Sequence, residues 1–133
     1  MIHEFVKFGI TGDDSTDFTI EGNVINGVRV EPRQWPYPYN TWLGEFAGLH
    51  LRSSENYQVI NNIVSGSWHA GYMLPPYECG GTAVHTGNVA HSISGYGLIV
   101  QPTDVEMDCA EFSDFKGYKT REGTMHMGGG IKA

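Results

Sequence analysis

The stretch NNIVSGSWHAGYML, residues 61–74, sets an Asn before an apolar pair, then a small-residue bend, then Gly followed by alternating apolar positions. That alternation predicts strand and not helix. The same pattern returns in GNVAHSISGYGLIV, residues 87–100. Asn62 falls on Asn88, Ile63-Val64 on Val89-Ala90, and Gly71-Tyr72-Met73-Leu74 on Gly97-Leu98-Ile99-Val100, all at one offset of 26 residues without a gap. Upstream, FTIEGNVING (18–27) presents Asn23 before Val24-Ile25, and AGLHL (47–51) matches AGYML (70–74). An insertion at 30–46 separates those two words. Downstream, EMDCAEFSDF (106–115) and GTMHM (123–127) read as a degraded further copy, with Ala110 at the Asn position.

Each unit thus holds two β-like words joined by a bend. A repeat of roughly 20–26 residues built from strand words predicts a solenoid, whose rungs bury their inner faces only by stacking. Period-2 geometry sets the faces. Leu49, Leu51, Tyr72, Leu74, Leu98 and Val100 are expected inside, with His50, Met73 and Ile99 facing outward or toward a neighbouring layer. In the other word, Ile20, Val59 and His85 form one expected interior ladder, and Val24, Ile63 and Val89 another. The predicted class is all-β, a parallel β-helix of about three to four turns. It forms one domain over 1–133, with repeats over 17–127, the loop insertion at 30–46 and a tail at 128–133. An antiparallel sandwich of short strands is the competing fold, but it does not require the ungapped register.

Composition agrees with strands and turns. Gly numbers 18 in 133 residues, and charged residues are only 17%. The formal net charge of −7 and the lack of a Lys/Arg stripe argue against nucleic-acid binding. No apolar run is long enough to span a membrane, and the N-terminus lacks a signal-peptide pattern. Two free thiols are the plainer reading of Cys79 and Cys109; a disulfide is the alternative if the fold joins them.

The candidate chemistry is sparse. The insertion holds Trp35, Tyr37, Tyr39 and Trp42 on a proline-stiffened path, where rings could stack on sugars or grip a protein. Folding back over the flank is the plainer expectation for it. Trp68 and His69 stand at a bend and join the candidate ligand-binding set. His3, His50, His85, His91 and His126 are scattered, and an acid/base pairing with Glu78 or Asp104 is imaginable but not fixed by any motif. No catalytic residue, cofactor or metal site is predicted. TGDDSTD (11–17) lacks the spacing of a calcium loop, and the MGGG near the end lacks the Lys of a phosphate loop. Asn23, Asn62 and Asn88 are read as a structural ladder, their side chains bonding each other and the bend backbone.

The words EFAGLHL, NNIVSGSWHAGYMLPPYEC and GNVAHSISGYGLIV resemble the parallel β-helix repeats of fibrocystin and fibrocystin-L-like proteins. The likeness spans roughly residues 17–127. It rests on Phe46-Ala47-Gly48-Leu49, Asn61-Asn62-Ile63-Val64, Ala70-Gly71-Tyr72 and Cys79. The resemblance implies a right-handed β-helix and a non-enzymatic structural or adhesive role in a large extracellular, cell-surface or ciliary protein. Similar repeats also occur in hyaluronan-processing cell-surface proteins and polysaccharide lyases. A carbohydrate-binding or carbohydrate-cleaving β-helix is therefore one alternative, and a filament-forming subunit is another. So short a solenoid is expected to be a fragment, or to be completed by other segments or neighbouring chains. Glycans are further candidate partners; nucleic acid and membrane are not.

Overall fold

The computed structural model describes residues 2–3, 8–27, 47–78, 82–100 and 108–127. These residues form β-strands with no helix among them: β1 (Ile2–His3), β2 (Phe8–Asp13), β3 (Thr16–Glu21), β4 (Val24–Asn26), β5 (Ala47–Arg52), β6 (Glu55–Ile60) and β7 (Ile63–Ser65). Then come β8 (Ala70–Leu74), β9 (Tyr77–Glu78), β10 (Val84–Thr86), β11 (Val89–Ile93), β12 (Tyr96–Val100), β13 (Asp108–Cys109), β14 (Lys116–Thr120) and β15 (Gly123–Met127).

Three parallel sheets account for all but β9 and β13. Sheet one runs β15-β12-β8-β5-β2, sheet two β10-β6-β3, and sheet three β1-β4-β7-β11-β14. The chain visits sheets one, two and three in that order through β2–β3–β4, then β5–β6–β7, then β8–β10–β11. A fourth round runs from β12 through a bridge at Ser113, paired with Thr86, to β14. The 26-residue offset is the strand register: Ile63 pairs with Val89, Val64 with Ala90, and Tyr72 with Leu98. An antiparallel sandwich is excluded for these sheets. β9 and β13 form an antiparallel pair, with Tyr77 opposite Cys109. Cys109 is disulfide-bonded, which replaces the expectation of two free thiols; Cys79 lies outside the described residues.

One core unites the three sheets. Leu49, Leu51, Tyr72, Leu74, Leu98 and Val100 from sheet one face it, as alternation predicts. Tyr57 and Val59 of sheet two join Ile25, Val64 and Ala90 of sheet three. The expectation for Val24, Ile63 and Val89 was wrong. They are in mutual register, but Val24 and Ile63 are 36% and 37% exposed. The cause is the corner between sheets two and three, where Gly22, Asn61, Gly87 and Asp114 have φ of 67°, 52°, 67° and 51°. A left-handed residue turns the chain and shifts the alternation by one. The inward positions therefore run Tyr57, Val59, Asn62, Val64. The first word of each unit is two strands, not one.

The register also corrects the last copy. Val89 pairs with Lys116, so Phe115, not Ala110, takes the position of Asn88. Ala110 is instead a buried core residue. His50, Met73 and Ile99 are buried too, at 8%, 3% and 6% exposure, and so face a covered layer and not solvent. Met73 and Ile99 pack with Ala47 and Ala70 in a second cluster against which Tyr96 lies.

Sheets one and three approach closely along a column of glycines. A Cβ on Gly9 would stand 2.3 Å from Ile25 Cγ2, one on Gly48 2.1 Å from Val64 Cγ1, and one on Gly71 2.9 Å from Ala90 Cβ. In the last round the sizes exchange. Thr124 follows the glycine column, and Gly117 follows Ala90, where a Cβ would lie 2.5 Å from Thr124 Cγ2. The large side chain changes strand and the gap stays filled, as close packing demands.

Candidate functional site

The polar interior is built from the corner upward. Because the left-handed residue turns the next side chain inward, Asn62 and Asn88 are buried at 0% and 3% exposure, with Asn23 half-buried beside them. Asn62 Oδ1 accepts from the backbone N and Nδ2 of Asn23, at 3.0 and 3.1 Å. Asn88 Oδ1 accepts from the same two groups of Asn62, at 3.0 and 3.1 Å. Nδ2 of Asn62 also donates to the Ile20 carbonyl at 2.9 Å, and that of Asn88 to the Val59 carbonyl at 2.7 Å. An Asn supplies acceptor and donors together, so one residue satisfies the backbone on both sides of the bend. The Tyr72 hydroxyl lies 2.8 Å from the Asn62 carbonyl and 3.1 Å from that of Val89; burial pushes its pKa up.

His85 interrupts the apolar ladder of Ile20 and Val59 and is 3% exposed. Its Nδ1 lies 2.9 Å from the Glu111 carbonyl, and its Nε2 lies 2.9 Å from the Tyr57 hydroxyl. A carbonyl only accepts, so Nδ1 carries the proton and Nε2 accepts from Tyr57. The Pro75 carbonyl stands 3.3 Å from the same hydroxyl. Burial lowers the His85 pKa to about 4, against a smaller opposing effect from the Glu111 carbonyl. The ring stacks on Phe112 at 4.6 Å, and Phe18 stacks on Tyr57 at 5.5 Å. The polar groups of this histidine are thus engaged within the fold.

The remaining sequence candidates are dispersed. Trp68 is 44% exposed at the corner after β7, while His69 beside it is half-buried. Burial lowers the His69 pKa, opposed by the charge of Glu122; His69 Nε2 and Ser67 Oγ are buried without a hydrogen-bond partner. Trp35, Tyr37, Tyr39 and Trp42 lie outside the described residues, as does Asp104. Among the described residues no group of three His, Cys, Asp or Glu side chains could hold a metal ion. No described helix is long and apolar enough to cross a membrane.

Sequence reasoning missed the outer face of sheet three. There the column Val24, Ile63, Val89, Lys116 runs beside Asn26, Ser65, His91, Tyr118. Ser65 Oγ donates to Asn26 Oδ1 at 3.0 Å. His91 and Tyr118 stack at 5.0 Å with 8° between their planes, and Tyr118 is 51% exposed. The 27-residue step into the last round hid this pairing from the 26-residue register.

No family model, no curated protein and no solved structure matches the chain.

Proposed function

We propose that the three parallel sheets close into a right-handed parallel β-helix, and that this chain is a non-enzymatic segment of such a solenoid. Its role is structural or adhesive, in a large cell-surface or ciliary protein of the kind its repeats resemble. The observation that carries this reading is where the buried polar groups point. Asn62, Asn88, Tyr72 and His85 each reach a backbone carbonyl of another round, those of Ile20, Val59, Asn62 and Glu111. Polar groups spent this way hold successive rounds together and leave little to converge on a substrate. The fixed order in which the chain visits the sheets supports the closed helix. Its natural partners are further rounds of the same solenoid, neighbouring chains, or glycans at its surface.

The test is turnover. The folded protein is incubated with uronate-containing and neutral polysaccharides, and both reducing ends and unsaturated products are followed. No product is expected from any of them. Cleavage that disappears in His69→Ala, with an unchanged thermal midpoint, would replace this reading with a carbohydrate-cleaving one.

A further inference from the structure

Three of the four described Lys and Arg residues lie in one strand and the corner after it: Lys116, Lys119 and Arg121, with Arg52 the exception. This is a local concentration of positive charge on a chain of net charge −7. Lys116 continues the Val24–Ile63–Val89 column, in which Val24 and Ile63 are exposed. Tyr118 stacks on His91 in the adjacent column. Trp68 stands at the same corner one round before Ser94 and two before Arg121, since Ala70, Tyr96 and Gly123 are in register two residues later. The neighbouring carboxylates are Asp114, 3.5 Å from Lys116, and Glu122, next to Arg121 in sequence. Both Lys116 and Asp114 are about two-thirds exposed, so that pair is weak and exchangeable.

We propose that the outer face of sheet three and its following corner form a binding surface for an anionic polysaccharide. Parallel strands about 4.8 Å apart present flat, evenly spaced columns, which suit a polymer of repeating rings. Tyr118, backed by His91, offers a ring face to sugar C–H groups. Lys116, Lys119 and Arg121 meet carboxylate or sulfate groups, and Ser65 and Ser94 lie in the adjoining columns. Ring platforms beside cations favour a charged sugar chain over a neutral one, and Asp114 and Glu122 among those cations disfavour a phosphate on every unit, as in a nucleic acid. The inference rests on the scaffold reading and names the ligand class of its adhesive surface.

Titration of the intact protein with alginate, dextran sulfate, neutral dextran and a single-stranded oligonucleotide tests it, with affinity read by electrophoretic retardation. One or both of the anionic glycans is expected to bind, more weakly as salt rises, and neutral dextran and the oligonucleotide are not. Tyr118→Ala is expected to weaken binding roughly tenfold. Lys116→Gln combined with Arg121→Gln is expected to weaken it about fivefold at low salt and less at high salt. These positions are exposed, so thermal midpoints should stay near that of the unsubstituted protein. No binding of either anionic glycan, binding indifferent to both variants, or equal binding of dextran or oligonucleotide would overturn the proposal. Product release in the same samples would instead count against the scaffold reading, so the two failures are told apart.

Discussion

Asn62 shows what a single buried amide can hold. It accepts from Asn23, donates to Ile20 and Asn88, and sits at 0% exposure. Leucine has similar bulk but would strand the Asn23 N–H and the Ile20 carbonyl. An unsatisfied buried group costs about 1–3 kcal/mol. Asn62→Leu is therefore expected to lose about 3 kcal/mol and lower the melting temperature by ~10 °C, measured by calorimetry; an unchanged midpoint would contradict the column. His85 makes the second residue-scale prediction. Its folded pKa is about 4, against 6.5 when free. The unfolded chain takes up the proton first, so the stability this residue confers is full above pH 6.5 and is lost as pH falls toward 4. The total is up to about 3 kcal/mol. Denaturant titrations across that window should show the decline, and it should flatten in His85→Phe. The Asn column was legible because Asn, an apolar pair and Gly recur in one register. The His85–Tyr57 contact was not: it is a diagonal contact between adjacent strands of sheet two, two residues off the pairing of His85 with Val59, and a comparison of equivalent positions does not look along that diagonal.

At the scale of the strand, sequence alternation gave the faces of sheet one and failed for sheet three. Asn61 is the reason, since nothing in its identity announces a φ of 52°. Asparagine tolerates that region better than most residues, but does not require it. The glycine column was equally hidden, because its meaning lies in what stands opposite. Gly48→Ala would place a methyl 2.1 Å from Val64 Cγ1. Overpacking of this kind costs typically 1–3 kcal/mol, and Val64→Ala should recover part of it. A double-mutant cycle in urea measures the coupling, and strictly additive losses would refute the contact. The exchange of sizes between Gly117 and Thr124 follows the same rule. It also explains why the last copy looked degraded: the packing is kept while the letters change place, and Phe115 replaces the Asn.

For the molecule as a whole, a stack of rounds in contact mainly with their neighbours implies graded and not uniform stability. β7 and β8 each lie between two parallel partners, as does β11, whereas β14 and β15 end their sheets among the described strands. Hydrogen exchange is therefore expected to be slowest in β7, β8 and β11 and measurably faster in β14 and β15. One common exchange rate would indicate a single cooperative unit.

The corner between sheets two and three has one length throughout. Two residues separate β3 from β4, β6 from β7 and β10 from β11. The other connections vary in length, from Asn26 to Ala47 in one round and from Ser65 to Ala70 in the next. Chain length is thus free on one side of the protein and fixed on the other. Foreign peptides could be grafted where the chain passes from sheet three back to sheet one, and successive rounds would stay in phase. A single residue added between Ile60 and Ile63 would instead turn Val64 out and Ile63 in. The chain has a side on which evolution can write and a side on which it can only copy.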